Sequence, residues 1–249
     1  MKSHQQRGLA PGTSAAKAEQ RRLTKVILFD IDGTLVLTGG AGVRGMSRAF
    51  EELFSIADAF GDVQMAGRTD ASILAAAAAR HAIADADLHR FHDVYLGHLI
   101  RGIDEPGPRK GVMPGIRPLL DTLDARDDAY LALLTGNIHR AERVKLEYFD
   151  LWRYFQTGAF GDHEPERNRL LPEALRRIEA SGGPVVSPCD VVVIGDTPLD
   201  VACAAASGAR SIAVATGSHS VDDLERSGAD VVFQDLSDTQ AVVDAIWRE

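Results

Sequence analysis

Cysteine is nearly absent: the 249-residue chain has two, Cys189 and Cys203. They form no CxxC pair and no zinc-type spacing, which excludes a disulfide scaffold and leaves inert thiols in a reduced, cytoplasmic setting as the expectation. An excess of positive charge is missing too. Against 36 Asp and Glu stand 27 Lys and Arg, a formal net charge of −9. That balance speaks against general binding to nucleic acid or to an anionic membrane, but not against a small anionic substrate, which responds to the local field. No apolar run is long enough to span a bilayer. Residues 1–23 lack the apolar core of a secretory signal; they are polar and basic, with Glu19 as their only acid. A transit peptide is conceivable there, and a disordered tail is the expectation.

What is present is ordinary in amount and unusual in arrangement. A content of 45% hydrophobic and 25% charged residues suits a soluble globular chain. From Lys25 onward, strand-like apolar runs at 25–30, 129–135, 155–159, 190–195, 211–215 and 230–233 alternate with helix-like segments. Helical periodicity is clear at Ile116, Leu119, Leu120 and Leu123, and again at Leu171, Leu175 and Ile178. Gly208 is placed to close the helix "DVACAAASGA", and Ser220 to open the next with Asp223 three residues later. Such alternation predicts βαβ crossovers and a doubly wound, Rossmann-like parallel sheet.

The interval 41–108 breaks the pattern, because it is far longer than one crossover helix. It carries helical faces instead: Val43, Met46, Phe50, Leu53 and Phe54, a segment opened by Thr69, and Leu88, Phe91, Tyr95 and Leu99. The Gly/Pro-rich stretches "TGGAG" (38–42) and "PGPRKGVMPG" (106–115) bracket it as hinges. The expected organisation is an α/β core over 24–40 and 109–249 with an α-helical cap domain, 41–108, inserted into it.

The strand ends gather chemistry. "VILFDIDGTLV" (26–36) ends a buried strand with Asp30 and Asp32, two residues apart and therefore pointing the same way. "LLTGN" ends in Thr135, Gly136 and Asn137; "GDHEPERNR" (161–169) follows another strand; "IGDTPLD" brings Asp196 and Asp200. In a parallel sheet these ends share one edge, where open α/β folds bind ligands. Clustered carboxylates suit Mg²⁺, which takes oxygen ligands and shares its shell with substrate phosphate. Thr135 and the N–H groups near Gly136 and Asn137 suit phosphate oxygens at a helix start. Asp30 is placed to attack phosphorus, and Asp32 to protonate the leaving oxygen and later deprotonate water. Plainer roles compete at several of these positions: Asn137 and Thr69 as helix N-caps, and Asp200 as a helix-start acid. His89 and His92, i and i+3, belong to a solvated face rather than a metal site.

"DIDGTL", "LLTGN" and "IGDTPLD", in that order, resemble the haloacid dehalogenase-like (HAD) hydrolase superfamily over residues 25 to about 235. The inserted helices resemble the cap of its phosphoglycolate phosphatase subgroup, as do "MAGRTDASIL" (65–74) and "MPGIRPLLDTL" (113–123). The resemblance implies that Asp30 is the nucleophile and Asp32 the acid/base. It implies that Thr135 binds phosphate, that Asp30, the Asp32 carbonyl and Asp196 hold Mg²⁺, and that Asp200 supports the metal shell. In the cap, Arg68 and Thr69 are placed to set substrate specificity, Arg68 through a bidentate carboxylate contact.

One departure stands out. The family's third motif supplies a lysine, and no lysine follows Lys145 here. Counting from Gly161 and Asp162, the position falls on Arg167, with Arg169 as the near alternative. Arginine keeps the charge with a different geometry. The expectation is a cytoplasmic Mg²⁺-dependent phosphatase, monomer or homodimer, acting on a small phosphorylated metabolite, phosphoglycolate-like or a sugar phosphate, through an aspartyl-phosphate. The alternatives are a sugar phosphomutase of the same fold and a non-catalytic phosphate-binding homologue; Asp32 argues against a dehalogenase.

Overall fold

Residues 26–29 have no measurable exposure, and their side chains leave the strand alternately to two different layers. In the computed structural model, which describes residues 24–248, this strand (β1, Lys25–Phe29) lies inside a six-stranded sheet. The tail expected over 1–23 is outside the described residues. The other strands of the sheet are β4 (Ala129–Leu134), β5 (Gly158–Ala159), β6 (Val191–Gly195), β7 (Arg210–Val214) and β8 (Val231–Phe233), in the order β5-β4-β1-β6-β7-β8. Every pairing is parallel, with Phe29 in register with Leu133 on one side and Ile194 on the other. The chain moves outward from β1 through β4 to β5, then returns to β1 and moves outward again through β6. Strand order therefore reverses at β1/β6, the place where such sheets open a crevice.

Both faces are covered, as an all-parallel sheet requires. Ile27, Phe29, Leu131, Leu133, Val192 and Ile194 pack on α4 (Ile116–Asp124) and α9 (Thr239–Trp247). Val26, Leu28, Ala132, Leu134, Val191 and Val193 pack on α6 (Leu170–Ala180) and α7 (Pro198–Ala206). All four apolar positions predicted for α4 are fully buried. Gly208 follows α7 at φ 71°, and the Ser220–Asp223 box opens α8 (Val221–Arg226).

Between β1 and β4 the chain forms α1 (Ala41–Phe54), α2 (Asp70–Arg80) and α3 (Phe91–Gly102). They share a core of their own, with Phe50, Phe91, Tyr95 and Leu99 at its centre. Ile138 and Ala141, at the start of the core helix α5 (His139–Tyr148), join that cluster and tie the helices to the sheet. Where the helices leave and rejoin the sheet, β2 (Val36–Leu37), just before the first expected hinge, pairs antiparallel with β3 (Gly111–Val112), inside the second.

Three expectations change. The strand predicted over 155–159 shrinks to Gly158–Ala159: β5 is an edge strand with β4 as its only neighbour, and Trp152–Tyr154 turn in a 3₁₀ helix whose aromatic residues go to the core. Val43, expected on the buried face of α1, is 49% exposed and lines a cavity instead. Leu88 precedes α3 in a separate 3₁₀ turn, Asp85–Arg90, and only packs against the shared core of these helices from outside.

Candidate active site

Directly after β1, Asp30 donates its backbone N–H to Ile194 O at 2.9 Å, so the chain is still held by β6 as it enters the loop. Gly33 follows at φ +96°, where a Cβ would lie 2.5 Å from Asp196 Oδ2; only glycine lets the loop pass that close to the carboxylate. Asp30, Asp196 and Asp200 are all buried, and their ligand oxygens lie within 4.8 Å of one another. Burial, with Asp200 next, pushes Asp30 up to about 7, against the opposing pull of Arg167. Burial, followed by Asp30 and Asp200, holds Asp196 well above the ordinary carboxylate range. Asp200 is otherwise occupied: its Oδ2 accepts from Thr197 N at 3.0 Å and Thr197 Oγ1 at 2.8 Å, the capping box that opens α7.

Arg167 is 7% exposed, and its Nη2 donates to Asp30 Oδ1 at 3.0 Å and to Asp200 Oδ1. Its other arm, Nη1, donates to the Gly67 carbonyl at 2.9 Å. Arg169 is exposed and pairs with Glu166 at 2.9 Å. Of the two candidate arginines, Arg167 therefore meets Asp30. Thr135 is fully buried, and its hydroxyl accepts from Asn137 N at 3.4 Å and from Asn137 Nδ2 at 3.3 Å. The same Nδ2 donates to Asp32 Oδ2 at 2.6 Å. Asn137 is thus not the cap of α5. That helix start is closed by Asp70, which accepts from Ile138 N at 3.0 Å, and by Asp162, which accepts from His139 N at 3.0 Å.

The three inserted helices meet the sheet region through residues 67–72. Gly136 O accepts from Asp70 N at 2.7 Å, and a Cβ on Gly136 would sit 2.2 Å from Arg68 O. Thr69 caps α2, accepting from Ser72 N at 3.2 Å, and donates to Pro165 O at 3.2 Å. The Arg68 guanidinium donates to Gln64 O at 3.4 Å and Ser72 O at 3.1 Å, while the residue lines the same cavity as Val43. That cavity, about 430 Å³, opens between sheet edge and cap and holds Asp30, Asp32, Thr135 and Arg167 on one wall.

A family model for haloacid dehalogenase-like hydrolases matches residues 24–208. The chain belongs to that family. This hydrolase is 29% identical over 229 residues to a phosphoglycolate phosphatase of Rhodospirillum rubrum, a match covering 86% of this chain and 89% of that one. It is 24% identical over 241 residues to the probable phosphatase IndB of Dickeya dadantii, covering 90% and 95%. Among solved structures, a mutant of CbbY from Rhodobacter sphaeroides in complex with xylulose-(1,5)bisphosphate superposes with a TM-score of 0.68 at 21% identity, over 86% of this chain and 95% of that one. A predicted phosphoglycolate phosphatase from Haemophilus somnus gives 0.66 at 18%, over 89% and 98%. At these identities the superpositions speak for the fold.

In this hydrolase the donor set fits a hard divalent cation. Asp30 and Asp196 offer buried carboxylate oxygens, raised in pKa first by burial and then by the neighbouring carboxylates, and Arg167 is the opposing charge beside them. Sequence reasoning passed over a second buried group. Lys145, two turns into α5, donates to Asp32 Oδ2 and forms an ion pair with the fully buried Glu142 at 2.8 Å. Tyr95 and Asp70, also buried, line the cavity beside it. The available signal was the i, i+3 pairing of Glu142 with Lys145 just downstream of "LLTGN".

Proposed function

We propose that this hydrolase is a Mg²⁺-dependent phosphatase that cleaves a small phosphomonoester, phosphoglycolate-like or a sugar phosphate, through an aspartyl-phosphate on Asp30. The observation that carries the reading is the division of labour between two carboxylates two residues apart. Asp30 is buried and clamped by Arg167, as an oriented nucleophile needs to be. Asp32 has a side chain 36% exposed to the cavity and is held by Asn137, as a proton carrier needs to be. In this reading Asp30 attacks phosphorus while Asp32 gives its proton to the departing ester oxygen. Water, deprotonated by Asp32, then releases phosphate from Asp30. Thr135 and the backbone at Gly136 and Asn137 hold phosphate oxygens, with Arg167 offsetting charge on the transferring group.

Asp30, Asp196 and the Asp32 carbonyl would hold the metal, with Asp200 fixing Arg167 behind them. Bound there, Mg²⁺ supplies positive charge that keeps Asp30 ionised and offsets charge on the phosphoryl group. The cavity suits a small leaving group; Val43, Met46, Met65 and Ile73 give it an apolar wall under the cap. Arg68 lines the cavity and selects the leaving group; Thr69, expected beside it, is buried outside that lining and caps α2. Among the described residues no helix is long and apolar enough to cross a membrane, and both cysteines are free, as the proposed cytoplasmic setting requires.

A panel of small phosphorylated acids and sugars, assayed for phosphate release with Mg²⁺, tests the reading. Release that disappears with Asp30→Asn and with chelator is expected. No release from any ester, or an isomer appearing from a hexose 1-phosphate in place of free phosphate, contradicts it.

A further inference from the structure

Asp32 has two oxygens, and the structure treats them differently. Oδ2 receives Asn137 Nδ2 at 2.6 Å and Lys145 Nζ as well. No donor among the described residues reaches Oδ1. Lys145 is an expensive way to hold one oxygen. Its residue is 2% exposed, and an ammonium so deeply buried is tolerated only when it is paired. Glu142, itself fully buried, supplies the second pairing at 2.8 Å, and its carboxylate has no hydrogen-bond partner beyond this ion pair. Gly42 of the cap leaves the space beside the ammonium open: a Cβ there would touch both Lys145 Nζ and Tyr95 Oη at 3.6 Å. Leu146, the neighbour of Lys145 in α5, packs into the sheet core like any apolar helix residue.

We infer that Lys145 is a positioning residue for proton transfer: with Asn137 it saturates Asp32 Oδ2, so that Oδ1 alone carries the proton, and Glu142 fixes the lysine in that place. This rests on the phosphatase reading and deepens it. In the first step the bond from Asp30 to phosphorus forms, the bond from phosphorus to the ester oxygen breaks, and the proton on Asp32 Oδ1 goes to that oxygen. In the second, water loses a proton to the same Oδ1 as its oxygen bonds to phosphorus, and Asp30 is released as carboxylate. The atoms balance with water as the sole co-reactant. Without the lysine, Asp32 is held by one donor and rotates, presenting the proton along the wrong direction for part of the time.

The test uses two leaving groups. An alkyl alkoxide needs the proton as it departs, whereas p-nitrophenolate departs as a stable anion. In Lys145→Met, kcat/KM for the panel's fastest alkyl phosphate should fall at least ~10-fold further than kcat/KM for p-nitrophenyl phosphate, within the range general acid catalysis supplies. Because kcat/KM ends at departure of the leaving group, the common hydrolysis of the aspartyl-phosphate does not mask the difference. An equal fall for both esters means that Lys145 only stabilises the fold, and overturns the inference. Should Lys145→Met not fold, Lys145→Met with Glu142→Gln removes both buried charges together, and the same ratio decides. A wild-type enzyme that releases phosphate from neither ester overturns the phosphatase reading itself, and a ratio unchanged in an active variant overturns only the role of Lys145.

Discussion

Arg167 shows what one residue can do where a lysine is expected. A lysine ends in a single point, but the guanidinium is a fork, and here one arm serves Asp30 and Asp200 while the other reaches the Gly67 carbonyl in the cap. Asp30 and the inserted helical segment are thereby joined through one side chain. Arg167→Ala should lower kcat by ~100-fold or more, the size of effect seen when a preorganised charge contact is removed. Steady-state assay, with circular dichroism to confirm the fold, checks this; near-normal turnover would mean that the charge on Asp30 is managed elsewhere. That an arginine would stand here was legible, because the count from Gly161 and Asp162 led to Arg167 with Arg169 as rival. Choosing between them needed the fold, since Arg169 differs only in turning outward to Glu166. Lys145 was illegible for another reason. A lysine in a helix with Glu three residues before it has the pattern of any solvated helical pair, whereas what lies beside this ammonium, Gly42 and Tyr95, comes from distant segments.

Among the elements, parallel strands were the easiest to see, because burial on both faces produces unbroken apolar runs such as residues 26–29 and 191–194. The edge strand β5 was overestimated for the converse reason: Phe155 is apolar through packing with Phe29, ring centroids 5.9 Å apart, not through strand pairing. The seam between the inserted helices and the sheet was the least legible. Beside side-chain contacts such as Arg167 on Gly67 O, it has backbone meeting backbone, with Asp70 N on Gly136 O at 2.7 Å and Ala71 N on Gly161 O at 3.3 Å. Such contacts leave only glycines as a trace. Gly136→Ala would place a Cβ 2.2 Å from Arg68 O, so the cap segment must lift away. The expected outcome is a folded protein whose kcat/KM falls ~10-fold or more, as misplacement of a positioning element does, with KM carrying much of the change. Unaltered kinetics would show that the 67–72 segment does not need this close approach.

Across the whole molecule, the site concentrates buried acids. Burial, first among the causes, pushes Asp70 up to about 6 and Asp30 up to about 7. An unfolded chain releases those protons near pH ~4, as ordinary carboxylates do. Between that pH and the raised values the native state binds more protons than the unfolded one, so the contribution of these groups to stability falls as pH rises. For Asp70 the fall runs to about pH 6. Chemical denaturation in the presence of chelator should therefore show a shallower decline from about pH 4 to about pH 6 in Asp70→Asn than in the wild type. An identical slope would mean that the bond from Ile138 N and the charge of Lys145 keep Asp70 ionised throughout.

The covalent step on Asp30 is the centre of the account, and a rapid acid quench tests it most directly. Wild-type enzyme mixed with Mg²⁺ and a radiolabelled ester that it hydrolyses should carry label on the peptide containing Asp30. The label should be lost on treatment with hydroxylamine, as an acyl-phosphate requires, and should be absent from Asp30→Asn. Turnover of the ester without label on that peptide, or label on another residue, would contradict the account.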